Sequence, residues 1–91
     1  MSARDLIAVR IEQSPTGLFA ATSDALPGVF IAHRELEKIV DDLPVVIQRW
    51  FKHHRNQDVT VFAGPLQKFD DSFAMLANAV PAEIAAQALQ R

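Results

Sequence analysis

SDALPGVFIAHRELEKIVDDLPVVIQRWF, residues 23–51, changes its hydrophobic period partway through. Up to His33 it reads as a corner, Leu26-Pro27-Gly28, followed by a short strand, VFIAH. From Arg34 the apolar residues Leu36, Ile39, Val40, Leu43, Ile47, Trp50 and Phe51 recur at steps of three and four. At 100° per residue they share one stripe, with Glu37, Lys38, Asp41, Gln48, Arg49 and Lys52 opposite, so one face of an amphipathic helix is turned to a core. Pro44 cannot donate the backbone bond to Val40. Either the helix kinks there, or one helix ends near Asp42 and a second begins at Pro44; the stripe stays in phase across it, which favours one kinked helix. KHHR then places positive charge at the helix end, where the dipole favours it.

Upstream, DLIAVRIEQ (5–13) alternates Ile7, Val9 and Ile11 with Ala8, Arg10 and Glu12, the two-residue period of a strand. SPTG (14–17) makes a tight reversal, and LFAATS (18–23) is the returning strand of a hairpin. Downstream, DVTVF (58–62) reads as a fourth strand. Beyond Gly64-Pro65, LQKFDDSFAMLANAV has no clean period, and PAEIAAQALQR is a short helix opening at Pro81. The expected fold is α+β: three antiparallel strands, one long helix, and a fourth strand parallel to the first. A right-handed crossover then gives the sheet order 3-2-1-4. Residues 1–63 form this β-β-β-α-β domain. Residues 64–91 are a tail with a short C-terminal helix, serving for docking or oligomerisation.

The stretch from about Leu6 to Phe62 resembles the HicB antitoxin family, in particular its small HicB-like relatives. Asp24, Leu26, Pro27 and Gly28 match that family's corner, and Leu36 and Glu37 match its helix start without a gap. His33, Arg34 and Glu35 stand where the family usually has Gly-Asp-Thr. The resemblance implies a truncated ribonuclease-H-like sheet with one helix. Full-length members also carry a ribbon-helix-helix or helix-turn-helix DNA-binding segment, whereas this chain has one clear helix after the fourth strand, so it reads as a stand-alone HicB-like protein, either a toxin-neutralising partner or a degenerate descendant of one.

Composition excludes several classes of chemistry. The chain has 91 residues, no cysteine and a formal charge of −2. Disulfides, thiolate metal sites and thiol catalysis are excluded, and the chain offers no electrostatic footprint for nucleic acid. No run approaches the ~20 apolar residues of a membrane span, and the start lacks a signal-peptide core, so the cytoplasm is the expected address. Most of the acids sit in turns or on the polar helix face, and none lies at an inward strand position, which speaks against a metal-dependent nuclease. Neighbouring His53 and His54 point about 100° apart on a helix, a poor arrangement for one metal ion. In RWFKHHR the aromatic residues belong to the buried stripe. No catalytic, cofactor-binding or metal-binding residue is assigned.

The second face of the sheet is the informative feature. If Ile7, Val9 and Ile11 face the helix, Leu6 and Ala8 face away, and large apolar residues of the other strands must join them. A single helix layer would leave this patch exposed. Either the chain's own tail covers it, through Phe69, Phe73, Met75 and Leu76, or a second copy does. A toxin-like protein is the third candidate. The expected interface comprises Phe19, Phe30, Phe62, Phe69, Phe73, Ile84 and Leu89, with Leu26, Pro27 and Gly28 as a structural corner. The expected function is non-enzymatic protein interaction by a homodimer or higher homo-oligomer. The alternative is a small-molecule-sensing or regulatory module that uses the same sheet.

Overall fold

A computed structural model describes residues 5–84. Its elements are β1 (Asp5–Gln13), β2 (Phe19–Thr22), β3 (Phe30–His33), α1 (Leu36–Arg55), β4 (Val59–Ala63), β5 (Gln67–Lys68) and β6 (Ser72–Pro81). The α+β class, the first four strands and the single long helix all follow the sequence pattern. The strand order does not. It is β3-β2-β1-β6-β4, with β5 also paired to β6, and every hydrogen-bonded pair is antiparallel. The fourth strand therefore does not lie beside the first. β6 occupies that place, because its ten residues pair with β1 along one edge and with β4 and β5 along the other.

The segment expected to be a docking tail is thus largely sheet. β4 ends at Ala63, and Gly64 donates to the Leu76 carbonyl at 2.8 Å. The chain bends there, resumes alongside β6 as β5, and reverses through a turn in which the Phe69 amide donates to the Ser72 carbonyl. Gly64 is needed at the bend, since a Cβ on it would stand 2.7 Å from the Leu76 oxygen. Of the expected C-terminal helix, residues 82–84 are helical, and the remainder lies outside the described residues.

α1 runs unbroken through Pro44 and buries Ile39, Leu43, Ile47 and Phe51. These pack with Ile7, Val9 and Ile11 of β1, with Val59, and with Met75, Ala77 and Ala79 of β6. Large helix side chains are balanced by buried alanines at 21, 77 and 79, as filling one volume without voids requires. Each fully buried Ile, Leu or Phe contributes about 1.5–3 kcal/mol. The helix starts after Glu35, which makes no side-chain cap. Instead the Glu35 amide donates to His33 Nδ1 at 3.2 Å. It ends at Asn56, whose left-handed backbone sends its amide to the Phe51 carbonyl.

The corner at 26–28 ties the sheet to the helix. Leu26 is 1% exposed, and its carbonyl accepts from the Val29 amide at 3.1 Å. Pro27 takes the second position of that turn and Gly28 the third, with φ +89°, the pattern of a type II turn. The Trp50 indole Nε1–H donates to the Pro27 carbonyl at 3.0 Å, fixing the corner to the last turns of α1. Upstream, the Ser23 hydroxyl donates to the Ala8 carbonyl at 2.7 Å.

The two glycines therefore differ in what they avoid. A Cβ on Gly28 meets nothing within 4 Å, so its cost is the backbone conformation alone. Gly28→Ala should lower stability by about 1 kcal/mol, whereas Gly64→Ala should lower it further because backbone must move. Urea denaturation checks both, and an unchanged midpoint in Gly28→Ala would contradict the turn assignment.

Candidate interaction face

The register sorts each strand into a helix side and a free side. Ile7, Val9 and Ile11 lie against the helix, opposite Ala77, Met75 and Phe73 of β6. The free side is built in rows. Leu6, Asn78 and Phe62 form one row across β1, β6 and β4. Ala8 and Leu76 form the next. Arg10, Ala74 and Gln67 follow, extended on the other side by Thr22 and Phe30.

Large apolar residues stand open on this side. Leu6 is 61% exposed, Leu76 55%, Phe30 65% and Phe62 45%, and Phe69 in the turn between β5 and β6 is 54% exposed. The face is an open hollow of about 630 Å³, lined by Leu6, Ala8, Arg10, Thr22, Phe69 and Ala74 among others. Arg10 and Glu12 project from it without an ion pair among the described residues. Asn78 is half-buried, and its Oδ1 is shielded from solvent with no hydrogen-bond partner among the described residues.

The expected interface residues divide accordingly. Phe30, Phe62 and Phe69 belong to the free side, and Ile84 is exposed near its end of the described chain. Phe19 and Phe73 do not belong to it. They lie on the helix side, partly buried against the core, with their rings edge-to-face at 6.1 Å. Leu89 lies outside the described residues. Leu76 was expected within a covering tail. It is instead part of the face to be covered, while its neighbour Met75 is buried under the helix. Asn78 escapes the sequence because nothing local marks the register that places it between Leu6 and Phe62.

Elsewhere the side chains form ordinary surface. All eleven acidic residues are exposed, and among the described residues no group of three or more His, Cys, Asp or Glu side chains could hold a metal ion. At the helix end Trp50 stacks on His54 with centroids 4.5 Å apart, and the Arg55 guanidinium lies 5.5 Å from the Trp50 ring. His54 Nδ1–H donates to the Trp50 carbonyl, so the aromatic and basic residues of RWFKHHR largely satisfy one another. The exposed pairs Lys52–Asp58 at 3.3 Å and Arg55–Asp5 at 3.8 Å tie this end to the strands and add little stability. No helix among the described residues is long and apolar enough to cross a membrane.

No protein-family model, curated protein or solved structure matches the chain.

The two sides of the sheet should respond oppositely to mutation. Ile7→Ala, which empties the helix side, should cost about 2–5 kcal/mol. Leu76→Ser and Phe62→Ser, measured in dilute solution, should each change stability by about 0.5 kcal/mol or less. Comparable losses at Ile7 and Leu76 in chemical denaturation would show that both sides are core.

Proposed function

We propose that this chain is a non-enzymatic protein-interaction domain that works through the free side of its sheet, in a HicB-like role as a toxin-neutralising protein or a relative of one. One observation carries the reading. Five large apolar side chains, Leu6, Phe30, Phe62, Phe69 and Leu76, are exposed on or beside one sheet face whose opposite side is sealed by a helix. Scattered exposed leucines are ordinary, but several large apolar side chains gathered on one sheet face, with Arg10, Glu12 and Asp24 beside them, mark an interaction site. The likeness of the corner and helix start to HicB-like proteins supplies the specific role. The inserted β6 departs from the simple strand order which that likeness implies.

A second reading draws on the hollow. At about 630 Å³ it has the volume of a small-molecule site, with Phe69 as a wall and Arg10 beside it. Its openness to solvent favours the docking role, since ligand sites bury most of their ligand. A small-molecule panel that raises the Tm, with the rise lost in Phe69→Ala, would favour sensing instead.

Co-purification from the native cell tests the docking role. A protein retained by the native chain should be lost from Leu76→Asp, whose fold is unaffected because the side chain is exposed. Identical retention by both chains would contradict it.

A further inference from the structure

We propose that a second copy of this chain covers the free face, with the two sheets packed face to face about a twofold axis running along β6. The inference rests on the docking role above and names its occupant. Four observations converge on it.

The first is the placing of the apolar side chains. About an axis on β6 the strands that overlap are β1, β6 and β4, and these carry the exposed Leu6, Leu76 and Phe62.

The second is the symmetry of the rows. Leu6 and Phe62 flank Asn78 on opposite sides in one row. Rotation about β6 exchanges the flanks, so Leu6 meets the partner's Phe62, and Leu76 on the axis meets its own copy. Every contact is then made twice, as an isologous interface requires.

The third is Asn78. Among the described residues its Oδ1 accepts no hydrogen bond, and it is the only polar side chain in that row. A carboxamide carries an acceptor and two donors, and its χ2 well is broad. A turn about χ2 that brings this shielded oxygen to the surface therefore lets two copies on a twofold axis satisfy each other, whereas a foreign surface must bring a donor to that one point. A single buried Asn at an apolar interface is a known device for fixing register.

The fourth is charge. An axis along β1 would set Arg10 against the partner's Arg10. An axis along β6 sets it against the partner's Gln67, because Arg10, Ala74 and Gln67 share a row. The side-chain amide oxygen of Gln67 accepts from a guanidinium.

The chain has no cysteine, so single introduced thiols report the geometry directly. Packed sheets stand about 10 Å apart, too far for a disulfide but within reach of a short bismaleimide. Leu76→Cys, on the axis, should cross-link into a covalent dimer in the full chain. Phe30→Cys, equally exposed but on the outermost strand, should do so several-fold less. In sedimentation the native chain should run as a dimer. Leu76→Asp should raise the dissociation constant by roughly a hundredfold, with an unchanged far-ultraviolet circular dichroism spectrum. A native chain that stays monomeric at high concentration overturns the inference. So does a Leu76→Asp chain that remains dimeric, or equal cross-linking at positions 30 and 76. If the native chain is monomeric yet Leu76→Asp still loses a foreign protein, the docking role stands and this inference alone fails.

Discussion

The stripe Ile39, Leu43, Ile47 and Phe51 of α1, laid over Ile7, Val9 and Ile11 of β1, is the contact from which the rest of the molecule follows. A helix is about 10 Å wide and covers one side of a sheet. In the described chain there is one long helix, so one side is sealed and dry while the other meets water. The corner at Leu26-Pro27-Gly28 serves this contact. Leu26 fills the core, Gly28 turns the chain toward the helix, and the Pro27 carbonyl receives the Trp50 indole. An apolar anchor inside a turn is explained once the turn is seen as the joint between the two layers.

β6 makes the surplus face larger. A chain end packed across the free side would have hidden the apolar residues there. A strand inserted between β1 and β4 instead extends the sheet and adds Leu76 and Asn78 to the uncovered side. Burial of Met75, Ala77 and Ala79 under the helix holds β6 in register, and a slip of one residue would drive Leu76, Asn78 and Val80 toward the helix. The positions on the free face are thus fixed by packing on the other side of the same strand. A docking surface built on such a strand is preorganised, which limits what association must spend on ordering.

Sequence alone made β1, β2, β3, α1 and β4 legible because each carries contrast. Ile7, Val9 and Ile11 alternate with shorter or charged residues, and the helix has a polar side as clear as its apolar one. β6 carries no contrast. Phe73, Met75, Ala77 and Ala79 face the helix while Ala74, Leu76, Asn78 and Val80 face away, so apart from Asn78 both sides read as small or apolar, and alanine favours no strand. Gly64-Pro65 suggested a boundary for the same reason a bend needs it, a close backbone approach that only glycine permits. The free face was legible as a surplus of apolar residues on β1, β3 and β4. Its membership was not, because Phe19 and Phe73 could be assigned a side only by the pairing partners of their strands, Gln13 and Ile11.

The central claim is that β6 lies inside the sheet with one side under the helix and the other free. Single cysteines placed in turn at positions 73–80 of the cysteine-free chain, each labelled by a small thiol reagent in dilute solution, test it most directly. Labelling rates should alternate with a two-residue period, fast at 74, 76, 78 and 80 and strongly protected at 75, 77 and 79. Uniformly fast labelling, or protection recurring every three to four residues, would contradict the account.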